Sequence, residues 1–362
     1  MTHAPRRVLV AGTGLIGTSL ALALSAKGSE VWLSDADDAI AALAADLGAG
    51  TVVADLRDAK GIADVAVLAM PPAAVGEMLA FAQDCAVADV YTDVASVKVA
   101  PVRQARALGC DLRTYVPGHP LAGRERQGPA AARADLFLGR TWAVCPLAET
   151  SPGAVDAVIA LATACGADPV TIDPASHDRW VALVSHAPHL VAVAMAARLA
   201  PSGVPADALK LAGQGLRDVT RIAAGDSAMW AQILSANAGP VADVVADVAA
   251  DLAAVARRLA SAAESREVTA LLDRGRAGVA RIPGKHGGQH RDFTVVQVVI
   301  ADRAGELARL FNAVGAAGVN IEDVRIEHSP GLPVGVAELS VRPGEVPALL
   351  DAMGAGGWPV RR

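Results

Sequence analysis

Over its first half the chain alternates two kinds of segment. Short β-branched runs (VLVAG from Val8, VWLSD from Val31, DVAVLAM from Asp64, VYTDVAS from Val90) are separated by Ala/Leu-rich stretches of helical length. Strand-length runs spaced by helical stretches predict βαβ units and a parallel sheet. This α/β pattern holds over residues 1–173. After Pro174 it changes: residues 176–200, 206–224 and 229–267 are long, Ala-rich and nearly free of strand signals, so 174–283 is expected to be all-helical. GKHGGQH (284–290) has the composition of a linker. Beyond it come a strand (FTVVQVVI), a helix (305–317), a strand (320–327), the turn SPGLP, a strand (334–341), a helix (345–353) and a short strand near Pro359. That order predicts a small ferredoxin-like α+β domain over 291–362.

At 362 residues, two or three cores are expected. Hydrophobic residues make up 53% of the chain, yet no run reaches the roughly 18 uninterrupted apolar residues of a membrane span. The longest candidate, 181–200, is broken by His186 and His189. The N-terminal run is too short and Gly-rich for a signal peptide, so a cytoplasmic protein away from membranes is expected. A net charge of −6 argues against nucleic acid as a partner. Cys85, Cys110, Cys145 and Cys165 lie far apart, which suits neither a disulfide framework nor a metal site.

Chemistry enters with Gly12, Gly14 and Gly17. They form GxGxxG around Leu15 and Ile16, directly after a predicted strand and opening a predicted helix. There the glycines permit a tight turn and close backbone approach, and the helix N-terminus faces a pyrophosphate. Asp35 ends the second strand run, 18 residues after Gly17. A carboxylate there accepts hydrogen bonds from ribose hydroxyls and repels a 2′-phosphate, which favours NAD over NADP. SDADD also offers helix caps; Asp37 as the cap would leave Asp35 for the ligand. A dehydrogenase also needs a group that receives a proton, and neutral histidine suits that role. His119, in the loop PGHPLAG between Pro117 and Pro120, is the candidate.

The GxHPxxG segment is followed and preceded by DVASVK (93–98), SHAPH (185–189) and GLRDVTRIAAGDSAMW (215–230) in an order that resembles the prephenate and arogenate dehydrogenase family over roughly residues 6–260. The resemblance implies NAD-dependent oxidative decarboxylation of prephenate to 4-hydroxyphenylpyruvate in tyrosine biosynthesis. It implies that His119 binds the ring hydroxyl and accepts its proton, with Ser96 orienting both. It implies further that Arg221 binds a substrate carboxylate, that His189 and His186 line the pocket, and that Glu125, Asp218 and Trp230 are pocket or gating residues, with Arg217 in an ionic network. Bland roles stand beside these: His186 and His189 as core histidines, Ser96 as the N-cap of the helix after Lys98, and Arg221 paired with Asp218 on the surface. Lys98 matches the catalytic lysine of β-hydroxyacid dehydrogenases only weakly, because it lies in the Rossmann half.

ADRAGELARLFNAVGAAGVNIEDV (301–324) resembles the start of an ACT domain. The resemblance implies an amino-acid effector, with tyrosine the natural candidate, near Asp302, Gly305, Asn320 and Ile321; a domain kept only for oligomerisation is the alternative. The expected architecture is therefore a Rossmann α/β domain, an all-α domain that dimerises, and an ACT domain. An arogenate-preferring enzyme, a noncatalytic NAD and amino-acid sensor, and a β-hydroxyacid dehydrogenase are the rival readings. A base that must be neutral predicts activity falling at acid pH, with an apparent pKa near or somewhat above the ordinary histidine value of about 6.5.

Overall fold

The computed structural model describes residues 4–123, 126–200, 205–261, 266–282, 293–328 and 333–361. It forms two compact units, one up to Leu252 and one from Ala253. The linker expected at 284–290 lies outside the described residues.

The first unit begins as a doubly wound sheet. β1 (Arg7–Ala11), α1 (Leu15–Ser25), β2 (Glu30–Ser34), α2 (Asp38–Asp46), β3 (Thr51–Val52), β4 (Ala63–Leu68), α3 (Val75–Asp84), β5 (Ala88–Asp93), α4 (Val99–Ala107) and β6 (Tyr115–Val116) follow in sequence. The strands lie in the order β3-β2-β1-β4-β5-β6, all parallel. Period-two alternation sends Val8 and Val10 to one core, with Leu20, Leu24, Val158 and Leu161, and Leu9 and Ala11 to the other, with Val75, Leu79 and Tyr115. Strands buried on both faces read as continuous apolar runs, which is why VLVA and VAVL were visible in the sequence. The order reverses between β1 and β4, and such a switch point opens a crevice at the strands' carboxyl ends.

The sequence reading of PGHPLAG as a loop is corrected here. β7 (Gly118–Pro120) pairs antiparallel with β8 (Thr141–Val144), His119 opposite Ala143; α5 (Pro152–Ala164) then leads to β9 (Asp168–Thr171), parallel to β8. Proline is tolerated because β7 is an edge strand of this three-stranded sheet.

Helices follow. α6 (Pro174–Val181) has proline in its first turn and Asp173 as its cap, accepting from the Ser176 amide. It runs through a π-helical turn, Ala182–His186, into α7 (Ala187–Ala196), then α8 (Ala206–Leu209), α9 (Gln214–Thr220), a 3-10 turn (Arg221–Ala224), α10 (Ser227–Ala236), α11 (Ala238–Ala260) and α12 (Arg266–Val279). The run Pro174–Leu199 is long and apolar enough to cross a membrane. Its polar face, however, carries His177, Asp178 and His186, all buried and hydrogen-bonded within the unit. The Ala-rich helical stretch expected over 229–267 is interrupted at Asn237, whose buried amide donates to Asp178 O at 2.8 Å.

The second unit contains β10 (Thr294–Ala301), α13 (Glu306–Ala316), β11 (Asp323–His328), β12 (Val334–Val341), α14 (Val346–Ala355) and β13 (Val360–Arg361). They make an antiparallel sheet, β11-β12-β10-β13, packed through Val296, Val298, Leu310, Leu339, Leu349 and Met353. Gly305 caps α13 at φ +84°, a left-handed conformation that itself accounts for a glycine. Ile321 packs on this core, Asn320 donates to Glu322 at 3.1 Å, and the Asp302 amide bonds Pro333 O at 2.9 Å.

Candidate active site

The glycine loop sits at the end of β1, beside the switch point. Two of its glycines are dictated by the chain itself. Gly12 has φ +99°, and a Cβ there would lie 2.2 Å from Ala69 O; a Cβ on Gly17 would lie 1.9 Å from Gly12 O. Gly14 is different: it caps α1 and a Cβ would meet nothing within 4 Å. Packing does not demand a glycine at that position, so the open space over the α1 N-terminus fits a dinucleotide pyrophosphate. Leu15 and Ile16 begin the helix, Ile16 against the core. Asp35 follows β2; its Oδ2 accepts from Thr13 N (2.6 Å) and Thr13 Oγ1 (2.9 Å), tying it to the glycine loop. Asp37 is the cap of α2, accepting from Ala39 N at 2.9 Å, while its own amide donates to Asp35 Oδ1 at 3.1 Å.

A buried polar chain runs from His119 into the protein. His119 Nδ1 lies 2.9 Å from His177 Nε2, and His177 Nδ1 lies 2.8 Å from Asp178 Oδ1. The Asp178 carboxylate also accepts from Lys98 N (2.8 Å) and Val99 N (2.9 Å), so a side chain on α6 caps α4. Ser96 is therefore not the cap of that helix; it sits partly buried in the bend between β5 and α4. Lys98 is fully buried, and its ammonium contacts Asp93 Oδ1 and Gly118 O. Asp93 accepts further from Ala95 N (2.8 Å) and Tyr115 OH (2.7 Å). Lys98 thus grips the residue before His119.

Burial first, then the nearby charges of His177, Lys98 and His186, hold His119 well below the ordinary histidine range. These surroundings disfavour imidazolium on His119, the opposite direction from an apparent pKa near or somewhat above 6.5. His186, buried and 3.2 Å from the Asn237 amide, is lowered to about 4 by burial, against the opposing pull of Asp178. His189 is buried too, which lowers it, while a hydrogen bond with the Ile222 backbone acts the other way. It stacks on Trp230 with ring centroids 3.5 Å apart, and His186 meets the same indole edge-on at 6.2 Å. A Cβ on Gly225 would lie 2.4 Å from Trp230 Nε1, so this glycine lets the indole close over His189. Both histidines are core residues by burial, joined through Trp230.

Arg221 opens the 3-10 turn and is exposed. Asp218 accepts from Gln214 Nε2 at 2.8 Å rather than from Arg221, and among the described residues neither Arg217 nor Arg221 has a carboxylate partner. Glu125 lies outside the described residues. A hollow of about 420 Å3 beyond β7 is lined by Leu121, Gly123, Arg133, Asp135 and Arg140, none of them a candidate residue. His177 and Asp178 escaped the sequence reading. Their only signal was a His-Asp pair one turn into a helix that also carries Ser176 and Arg179.

A switch-point glycine loop and an acidic residue after β2, with a half-buried histidine on the adjoining sheet, define a dinucleotide-dependent oxidoreductase. The nucleotide-binding domain of prephenate dehydrogenase matches residues 20–171, and the prephenate dehydrogenase dimerization domain matches 173–273. The chain is 37% identical over 366 residues to a probable prephenate dehydrogenase of Streptomyces niveus, covering 98% of this chain and 99% of that one. It is 32% identical over 248 residues to the prephenate dehydrogenase of Bacillus subtilis, 65% of each chain. Among solved structures, prephenate dehydrogenase from A. aeolicus, in complex with hydroxyphenyl propionate and NAD+, superposes with a TM-score of 0.68 at 26% identity, over 77% of this chain and 99% of that one. This chain belongs to the prephenate dehydrogenase family.

Proposed function

We propose that the chain oxidises prephenate with NAD+ to 4-hydroxyphenylpyruvate and CO2, with His119 as the proton acceptor. NAD+ supplies the hydride acceptor. Gly12, Gly14, Leu15, Ile16 and Gly17 hold its pyrophosphate at the α1 N-terminus, and Asp35 holds the adenosine ribose. His119 takes the proton of the ring hydroxyl, and Ser96, its hydroxyl free of any capping duty, orients both. Loss of the ring carboxylate as CO2 makes the ring aromatic, and no metal is needed for it. Arg221, exposed and without a carboxylate partner among the described residues, binds a substrate carboxylate; planar guanidinium suits a bidentate contact. His186 and His189 shape the pocket wall through Trp230, with Asp218 and Glu125 at its margin.

The observation that carries this reading is the hydrogen-bonded series Asp178–His177–His119, which presents one neutral imidazole from β7. NADH formation by the purified chain, with prephenate and arogenate in parallel, tests it. Turnover with prephenate that collapses in His119→Asn is the expected result. Preference for arogenate moves the substrate, and silence on both leaves the sensor reading standing.

The domains are residues 1–173 (NAD-binding), 174–283 (helical), the linker 284–290 and 291–362. The last is an ACT domain with tyrosine as its effector, supported by the βαββαβ order of the second unit. Tyrosine should inhibit without competing with prephenate; competitive inhibition would place it at the active site instead. Trp180, Leu183, Val184 and Met195 on the α6–α7 run are exposed. A second copy of this chain covers them, giving a homodimer in the cytoplasm.

A further inference from the structure

Resting on the assignment of His119 as proton acceptor, we propose that the proton does not stay there: it passes to His177, and Asp178 holds the resulting imidazolium until the product's ring oxygen takes a proton back through His119. The direction of the hydrogen bonds carries the argument. Asp178 meets three donors, namely His177 Nδ1 and the amides of Lys98 and Val99, and stands at the N-terminus of α4, where the peptide dipoles favour an anion. A carboxylate so surrounded only accepts. His177 therefore carries its hydrogen on Nδ1, and its neutral ring offers Nε2 as an acceptor. His119, 2.9 Å away, must then carry hydrogen on Nδ1, which leaves its Nε2 as the lone pair that meets substrate.

The step balances without a further reactant. The substrate O–H bond breaks as an N–H bond forms on His119 Nε2; bound NAD+ would take the hydride, and as CO2 departs the electrons of its bond complete the ring and leave the ring oxygen as a phenolate. The hydrogen on His119 Nδ1 then moves to His177 Nε2. His119 is then neutral with its hydrogen on Nε2 and His177 is a cation against Asp178, until His119 gives that Nε2 hydrogen to the phenolate and recovers its Nδ1 hydrogen from His177, so that the product leaves as the phenol and both rings return to their starting state.

Fixed charges give the transfer its direction. Asp93, accepting from Lys98, Tyr115 and Ala95, is a second buried carboxylate, so the cluster of Asp93, Asp178 and Lys98 carries one net negative charge before the proton arrives. The Lys98 ammonium contacts Gly118 O, one residue from His119, while Asp178 touches His177. Moving the positive charge inward takes it toward a carboxylate. The remaining neighbours, His186 in the π turn and the Asn237 amide on the Asp178 carbonyl, are arranged around the inner end of the chain. The low affinity of His119 for a proton agrees with its being a relay rather than the store. Because His177 acts through His119, it is a positioning residue.

The test uses the full chain in single-turnover NADH formation from prephenate, across mixtures of H2O and D2O. His177→Gln places a carbonyl oxygen where Nε2 accepts, so His119 keeps its orientation but loses the place to which its proton goes. Expected is a curved dependence on deuterium fraction for the wild type, a linear one for the variant, and a rate about tenfold or more lower at unchanged prephenate KM and NAD affinity. A variant with the wild-type rate, or a linear dependence in the wild type, overturns the relay. Should the variant fold poorly, 15N shifts of the wild-type histidines still decide: hydrogen on Nδ1 of both rings is required, and hydrogen on His119 Nε2 in the free protein refutes it. Wild-type failure on prephenate is a separate result that would count against the substrate assignment.

Discussion

Replacing Lys98 with methionine separates the charge of the buried lysine from its bulk. Its side chain and that of Asp93 are both 0% exposed, so neither charge is screened by water. Breaking a buried ion pair from one side costs about 3–5 kcal/mol, because it strands the other charge. Asp93 would keep the Ala95 amide and Tyr115 hydroxyl, which places the loss toward the lower end. Gly118 O also loses the ammonium, and an acceptor left unpaired costs about 1–3 kcal/mol, a contribution that overlaps with the first. A net loss of about 3–5 kcal/mol corresponds to opening of β5 and β6 roughly 10² to 4 × 10³ times more often, since each 1.4 kcal/mol is a factor of ten.

Hydrogen exchange at Tyr91 to Asp93 and at Tyr115 reads that opening directly. Adding Asp93→Asn to Lys98→Met removes the stranded charge while keeping a side-chain oxygen for Tyr115, so the double variant should recover most of the protection. Activity should not recover with it, because Gly118 remains unheld next to His119. The reasoning is refuted if Lys98→Met exchanges within about tenfold of wild type, or if the double variant is no better than the single one.

Three further outcomes are expected. The acid limb of kcat/KM should lie below 6.5, because burial and the neighbouring charges lower His119 and so keep the base neutral to lower pH; a midpoint at or above 6.5 contradicts the described surroundings. Gly17→Ala should lower the melting temperature of the first unit sharply, since its Cβ would meet Gly12 O, whereas Gly14→Ala should melt like wild type yet bind NAD more weakly in a titration. Stability should also fall with acid: His186 is held neutral in the fold, whereas an unfolded histidine binds a proton below about 6.5. Its contribution is complete above that value and is lost as pH falls toward about 4, which denaturant melts across that range will show and His186→Asn will flatten.

The sequence made the sheet legible because strands buried on both faces must be apolar at every position, and GxGxxG made the crossover loop legible because Gly12 and Gly17 are fixed by backbone contact. PGHPLAG was legible as chemistry but not as structure: two prolines read as a loop, and only the partner strand 23 residues onward, with Ala143 opposite His119, makes it β7. The break at Asn237 was hidden for a similar reason. Ala-rich sequence continues across it, and what ends the helix is a buried amide engaged with Asp178, 59 residues earlier.

His177, Asp178 and Lys98 illustrate the same limit at the site. Each has an ordinary local reading: a histidine and an aspartate in a helical turn, and a lysine in the bend before α4. The contacts that join them to the site span 58 and 80 residues, which no periodicity records. The linkage also has a physical consequence for how the first unit is built. The carboxylate that anchors the histidine chain caps α4 of the Rossmann sheet, and the ammonium that pairs with Asp93 of β5 grips β7. Lys98, which ties β5 to β7, is therefore also one of the groups that, after burial, lower His119. A substitution at Asp178 must loosen the α6–α4 contact and alter the base at once, so changes of stability and of acid-base chemistry at this cluster travel together rather than separately.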